Sequence, residues 1–145
     1  MTDLIWLHEG ALRRTHPIFT MADKDAPALF IWDSARFEAG HVGVRRQLFI
    51  YETLVELGVE IHEGDGADLM PHLVAAHGAS RLLVPATPDP AFMRQLAAIS
   101  KAVPDLVVDL VEDTAFVTLA AAPDLGRFFR YWNKARKGAL RPHGV

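Results

Sequence analysis

The stretch Leu4-Ile5-Trp6-Leu7, which runs directly into His8-Glu9-Gly10, is the most informative part of the chain. A second apolar run, Leu29-Phe30-Ile31-Trp32, is followed in the same way by Asp33. Short apolar strands of this kind are typical of a parallel sheet that is covered on both faces. In open α/β sheets, ligands bind just outside the carboxyl ends of the strands, where the strand order reverses. The two stretches therefore predict both a fold class and the position of a site.

The rest of the chain alternates between short apolar runs and longer segments with helical periodicity. This alternation predicts a three-layer, Rossmann-like α/β fold, with a five-stranded parallel sheet in the order 3-2-1-4-5 and helices on both faces. We expect a single domain over residues 1–145. The predicted strands are Asp3–Leu7, Ala28–Trp32, Glu60–His62, Arg81–Val84 and Leu106–Leu110. The predicted helices are Val42–Leu57, Ala67–His77, Pro90–Val103 and Asp124–Gly138.

Turn residues and apolar spacing refine these helices. Gly58 and Gly78 directly follow the first and second predicted helices, where a C-terminal glycine is common. Asp65 precedes the second of these helices and is placed to cap it. The polar segment 10–27 predicts a loop with at most a short helix. Apolar residues at helical spacing predict the buried faces. They are Leu48, Tyr51, Leu54 and Val55 in the first helix, Leu69, Leu73 and Val74 in the second, Phe92, Met93, Leu96 and Ile99 in the third, and Leu125, Phe128, Phe129 and Trp132 in the last.

Composition excludes several classes of protein. A net charge of −3 gives no general attraction to DNA or to an anionic membrane, so we expect no nucleic-acid partner for this chain alone. The absence of cysteine excludes disulfides, thiolate zinc sites and cysteine nucleophiles. The start Met1-Thr2-Asp3 lacks the basic region of a signal peptide, and no apolar run is long enough to span a bilayer. We therefore expect a cytoplasmic protein without membrane contact.

Motifs with strong chemical meaning are missing. The first strand is not followed by a Gly-x-Gly-x-x-Gly turn, and there is no phosphate-binding loop of the Walker type. The turn Glu63-Gly64-Asp65-Gly66 is interpreted as a tight turn with a helix cap. The seven histidines are scattered without a zinc-binding spacing, and no serine lies in a nucleophile elbow. The sequence predicts no metal and no catalytic residue.

Polar residues that follow the first, second and fourth strands should converge on one crevice, because the first and fourth strands flank the switch point. The functional interpretation is a pocket for a small planar or nucleotide-like ligand. Arg36 would hold a carboxylate or phosphate, and Asp33 would accept from a ribose or ring donor. The alternative is that these polar residues are solvated or cap helices. The predicted site residues are His8, Glu9, Asp33, Arg36, Thr87 and Asp89.

The last segment of the chain interleaves aromatic and basic residues. The stretch 127–141 holds six arginines and lysines and no acidic residue. Such a run stacks bases in some proteins and docks a partner in others. The simpler interpretation is an amphipathic last helix with Phe128, Phe129 and Trp132 in the core, because these three lie on one helical face.

The order of these features resembles the N-terminal α/β domain of the DNA photolyase/cryptochrome family. That domain opens with a strand ending in Trp-Phe-Arg and reaches Asn-Pro eleven residues after the Trp, where this chain has Trp6-Leu7-His8 and His16-Pro17. Its Phe-Asp-Pro strand end resembles Ile31-Trp32-Asp33, and its Arg-Arg helix resembles the stretch 44–54. The segment 64–73 is similar to the Gly-Asp…Leu-Pro-x-Leu element of the family domain. The stretch 130–134 is similar to the basic, aromatic segment that links the domains in that family. The chain departs from the family at His8, Gly10, Thr15-His16 and the segment 86–90.

The resemblance implies a light-harvesting role rather than repair. In the family this domain carries an antenna chromophore, which is a folate, a flavin or a deazaflavin, and a separate helical domain carries FAD and performs electron transfer. The chain ends where that helical domain would begin, so we expect no FAD redox site and no photolyase activity by this chain alone. The resemblance also implies a separately encoded FAD-domain partner or another protein partner, and a homodimer is a further possibility. One alternative is a ligand-free regulatory subunit that docks through its last helix. Another is a small hydrolase or nucleotidyl-transfer enzyme on a similar fold, against which the absence of a phosphate-binding loop argues.

Overall fold

A computed structural model describes residues 2–117, 119–122 and 126–139 of the chain. The chain divides into two compact units, Met1–Asp113 and Thr114–Val145. Every strand of the sheet belongs to the first unit. The expectation of a single domain over the whole chain stays a prediction.

Five parallel strands run through the first unit: β1 (Asp3–Leu7), β2 (Ala28–Trp32), β3 (Glu60–Glu63), β4 (Arg81–Pro85) and β5 (Val107–Val111). They lie in the order β3-β2-β1-β4-β5, which confirms the predicted sheet. β1 and β2 have the predicted bounds. β3 and β4 each end one residue later than predicted, and β5 is shifted by one residue.

The helices connect the strands as predicted, with one addition. The described helices are α1 (Ile18–Met21), α2 (Ser34–Ala39), α3 (Val44–Leu57), α4 (Gly66–His77), α5 (Pro90–Ala102) and α6 (Phe128–Ala139), of which the last lies in the second unit. The short α1 fits the expected loop over 10–27. The sequence did not predict α2, because a helix of six residues that buries only Phe37 is too short to show a period. Asp124, Leu125 and Arg141 lie outside the described residues.

Helices pack on both faces of the sheet, as predicted for a three-layer fold. Along β1 the side chains alternate between the two faces, with Leu4 and Trp6 on one and Ile5 and Leu7 on the other. The Leu4 face packs against α4 and α5, and the Ile5 face packs against α1, α2 and α3. The central strand is therefore fully buried, which explains its continuous apolar sequence.

Three predicted buried faces were wrong in part. In α3 the buried residues are Ile50, Leu54 and Leu57, whereas three of the four predicted residues are exposed. The reason is that α3 carries two apolar stripes, and only one of them meets the sheet. The exposed residues that were predicted to be buried are Leu48, Tyr51 and Val55 in α3, Met93 in α5, and Phe128 and Phe129 in α6.

Candidate functional site

The site is produced by a gap between the two central strands. β1 and β4 pair only at their amino ends, where Asp3–Ile5 lies beside Arg81–Leu83. Beyond this point β1 continues beside β2 as far as Leu7, and β4 continues beside β5 as far as Pro85. The carboxyl ends of the strands separate where the strand order reverses. This is the place at which α/β sheets bind ligands.

The central crevice, as we call the hollow in this gap, has a volume of about 170 Å³. Five of the six predicted site residues line it, together with Gly10, Arg46 and Phe92. The sixth, Asp33, lines a smaller cavity of about 10 Å³ that shares four wall residues with the crevice. The structure therefore brings all six predicted residues to one edge of the sheet. The five in the crevice wall are His8, Glu9, Arg36, Thr87 and Asp89.

His8 bridges the gap between the strands. Its Nε2 lies 2.9 Å from the carbonyl oxygen of Pro85, and the backbone N–H of Gly10 donates to its Nδ1 over 3.1 Å. A carbonyl can only accept, so the proton is on Nε2, and the Gly10 bond is consistent with that tautomer. The ring also packs edge-on against Phe92, with 5.2 Å between centroids. Both ring nitrogens are therefore engaged within the chain.

Glu9 and Arg36 form an ion pair in the crevice wall. Arg36 Nη2 donates to Glu9 Oε1. The Arg36 guanidinium also lies over the Phe92 ring, 5.8 Å from its centroid, which is within the range of a cation–π contact. Glu9 Oε2 is buried and has no hydrogen-bond partner among the described residues. A buried carboxylate oxygen without a partner is costly, and it points to a donor supplied by a ligand or a water molecule.

Asp33 and Asp89 both act as helix caps. Asp33 Oδ1 accepts from the backbone N–H of Arg36 at the start of α2, and Asp89 Oδ1 accepts from that of Ala91 at the start of α5. The Thr87 hydroxyl in turn accepts from the backbone N–H of Asp89 over 3.2 Å. The capping interpretation thus holds for both aspartates. Each cap occupies one carboxylate oxygen, so capping and ligand binding are compatible.

Two important wall residues were missed by the sequence reasoning. Arg46 reaches the crevice from α3, and it makes no ion pair within the part of the chain that the structure describes. The only sequence signal for it was the paired-arginine helix in the family resemblance. Phe92 was predicted to be a core residue, and it is one, but it also forms part of the crevice wall.

Grooves flank the crevice along the carboxyl edge of the sheet. One groove, of about 340 Å³, begins at Thr87 and is lined by Ala86, Pro88, Leu110 and Glu112. On the other side a groove of about 320 Å³ begins at Asp33. Its remaining wall residues are Trp32, Ser34, Ala35, Glu63, Gly64 and Asp65. The hollows share wall residues, so they form a row along one edge.

Two further kinds of feature are absent from the described ranges. No group of three or more histidines, aspartates or glutamates is arranged to hold a metal ion. None of the described helices combines the length and the apolar character that crossing a bilayer requires.

Comparison with known proteins supports the fold. No protein-family model matches the chain, and no curated protein matches it either. Among solved structures, the chain resembles the crystal structure of a hypothetical protein, PH0823, with a TM-score of 0.50 and 11% sequence identity. The match covers 79% of this chain and 97% of that chain. At this identity the likeness shows a shared Rossmann-like fold.

Proposed function

We propose that the first unit binds a planar or nucleotide-like ligand at the carboxyl edge of its sheet and performs no DNA repair itself. The observation that carries this proposal is Glu9 Oε2, which is buried and has no hydrogen-bond partner among the described residues, in a crevice that Arg36 and Arg46 also line. A ligand with both a hydrogen-bond donor and an anionic group would satisfy these side chains together.

The charges in the crevice favour such a mixed ligand over a simple anion. Glu9 and Asp89 contribute two negative charges, and Arg36 and Arg46 contribute two positive charges. Glu9 already neutralises Arg36, so that among the described wall residues Arg46 is the cation available to a phosphate or carboxylate. Ribose hydroxyls or ring N–H groups would donate to the carboxylates. A nucleotide, a flavin nucleotide or a folate offers this combination.

The volumes of the crevice and the adjoining groove suggest which part of such a ligand would lie in each. Small-molecule pockets usually measure about 300–1,000 Å³, so a crevice of about 170 Å³ takes only part of a ligand. The adjoining groove of about 340 Å³ has room for a ring system, and Thr87 lies where the two meet. The residues present therefore fit the antenna chromophores that the family resemblance implies. If one binds, it would absorb light and pass on the energy, while this chain holds and orients it.

Spectroscopy and titration test the proposal. We expect the purified full chain to absorb in the near-UV or blue, or to bind a folate, a flavin nucleotide, a deazaflavin or AMP in titration. Arg46→Gln should weaken binding about tenfold, as expected for the loss of one charge-assisted hydrogen bond. Arg94→Gln, on the exposed surface of α5, is the matched control and should bind normally. A colourless protein that binds none of the four probes would reject the proposal.

A second candidate function is a ligand-free subunit that docks a separately encoded partner through α6. It is favoured by the exposure of Phe128 and Phe129, whose rings contact each other on a helix with no acidic residue. The test is co-elution on size-exclusion chromatography with the products of neighbouring genes, including any FAD-domain protein. Phe129→Ser should abolish co-elution if α6 is the docking helix, whereas Arg46→Gln should leave it unchanged.

A further inference from the structure

We propose that α3 is a homodimer interface, in which it packs antiparallel against α3 of a second copy of this chain. The surface concerned is the α3 stripe, which we define as Val44, Leu48, Tyr51 and Val55. Their exposed fractions are 81%, 55%, 50% and 58%. An exposed row of four large apolar side chains on one helix is unusual for a surface without a partner.

The spacing of the α3 stripe favours another helix as its partner. The steps along the stripe are four, three and four residues, which is the alternation of apolar positions in a coiled coil. α3 is 14 residues long, so the stripe extends over most of a helix of roughly 21 Å. The residues that α3 buries against the sheet, Ile50, Leu54 and Leu57, belong to a different face. α3 can therefore keep its place in the fold while the stripe meets a partner.

The charges beside the α3 stripe argue for a second copy in the antiparallel direction. Arg45, Glu52 and Glu56 lie along one flank of the stripe, all exposed, and none makes an ion pair with a described residue. Glu52 and Glu56 are four residues apart on the helix, so they repel each other. In an antiparallel pair with twofold symmetry, equivalent flanks lie on the same side and opposite ends meet. Arg45 of each copy then faces Glu52 and Glu56 of the partner.

The apolar residues match in the same register. A twofold axis midway along the stripe places Val44 opposite the partner's Val55, and Leu48 opposite the partner's Tyr51. A parallel pair with twofold symmetry would place the charged flanks of the two copies on opposite sides of the seam, so Arg45 would not reach the partner's Glu52 or Glu56. The structure thus carries a self-complementary surface in one direction only.

The expected dimer is weak and depends on concentration. A single helix pair of this length buries less than the roughly 800 Å² per partner of a standard interface. Sedimentation velocity of the full chain, from micromolar to near-millimolar concentration, should show a monomer–dimer equilibrium. Leu48→Gln should raise the dissociation constant about tenfold, because each dimer loses two leucine contacts. Met21→Gln is the matched control, since Met21 has the same exposed fraction of 55% and lies outside α3; it should change nothing.

Charge reversal and cross-linking test whether the two α3 helices pack antiparallel. Arg45→Glu and Glu52→Arg should each weaken the dimer, and the double variant should restore it. Because the chain has no cysteine, single cysteines can be introduced cleanly. Val44→Cys and Val55→Cys should cross-link through a short bismaleimide only when mixed, because equivalent positions would be about 16 Å apart along the axis. A protein that stays monomeric, a dimer insensitive to Leu48→Gln, or cross-linking of Val44→Cys to itself would overturn the proposal.

Discussion

The imidazole of His8 donates a hydrogen bond from Nε2 to the carbonyl oxygen of Pro85 across the gap in which β1 and β4 no longer pair. This bond replaces the main-chain ladder at the carboxyl end of the two strands. The bond also holds the His8 ring edge-on against Phe92, and both side chains line the central crevice. His8 therefore shapes the site rather than offering a free nitrogen to a ligand.

Removal of this bridge should destabilise the fold. His8→Ala leaves the buried carbonyl of Pro85 without its donor, so we expect the free energy of unfolding to fall by about 2–3 kcal/mol. Urea denaturation followed by circular dichroism measures this change. His72→Ala, at an exposed position of α4, is the control and should alter stability by less than about 0.5 kcal/mol. Equal effects of the two substitutions would contradict a bridging role for His8.

The amino ends of the same strands are joined by an ion pair, which predicts a pH dependence. Arg81 donates from Nε to Asp3 Oδ1 over 2.8 Å and from Nη2 to Oδ2 over 2.5 Å, and the Asp3 side chain is fully buried. The Arg81 hydrogen bonds hold the pKa of Asp3 below its usual value of 3.8, although burial opposes them. Since the pKa is lower in the folded state, the stabilisation is present above pH 3.8 and is lost as the pH falls through the folded value.

Asp3→Asn should therefore reduce stability at neutral pH by about 2 kcal/mol, because it removes charge-assisted hydrogen bonds. As the pH falls from the usual pKa of Asp3 through its lower value in the folded state, the variant and the original protein should converge. Thermal melts at a series of pH values from neutral to acid give the stability difference at neutral pH and its loss on acidification. Glu112→Gln, at an exposed position, is a suitable control. A constant difference between Asp3→Asn and the original protein at every pH would disprove the linkage.

His16 predicts a second pH dependence, at milder acidity. Its side chain is buried, its Nδ1 accepts from the backbone N–H of Ile18 over 3.1 Å, and burial lowers its pKa from the usual 6.5. Below pH 6.5 the unfolded chain binds a proton that the folded chain does not, so stability should decrease until the folded pKa is passed. His16→Asn keeps an acceptor for Ile18 and should remove this dependence. The denaturation midpoint of the original protein should be lower at pH 5.5 than at pH 7.5, and His16→Asn should lack this decrease.

Gly66 allows close packing beneath the crevice. A Cβ at this position would lie 2.6 Å from Gln95 Oε1 and 2.9 Å from Trp6 Cζ2. Gln95 can rotate away, but the Trp6 ring is buried and packs against Phe92 with 4.5 Å between centroids. Gly66→Ala should therefore cost about 1–3 kcal/mol through overpacking. Gly43→Ala, whose Cβ would meet nothing within 4 Å, should cost less than about 1 kcal/mol. Similar losses of unfolding free energy for Gly66→Ala and Gly43→Ala in chemical denaturation would argue against steric crowding at position 66.

The edge of the sheet that carries the site was predictable, because its signal is local. The inner residues of β1 and β2 are buried, so both strands are uninterrupted apolar runs in the sequence. The polar residues that directly follow these strands must lie at the carboxyl edge of the sheet. The caps at Asp65 and Asp89 were also predictable, since a cap depends on backbone atoms two or three residues away. The ligand class and the family resemblance stay predictions, because they depend on chemistry that the fold does not specify.

The sequence by itself determined the strands and the edge at which polar residues gather, because these follow from short-range patterns of burial and turn formation, whereas the predicted strand order came from the topology typical of doubly wound sheets. Only the tertiary structure decided that Arg46 enters the crevice, that Glu9 Oε2 finds no partner in the described part of the chain, and that α3 turns Leu48 toward solvent. The physical reason is that a helix with two apolar stripes has two similar ways to bury itself. The choice between them depends on the shape of the sheet, which distant segments of the chain build together.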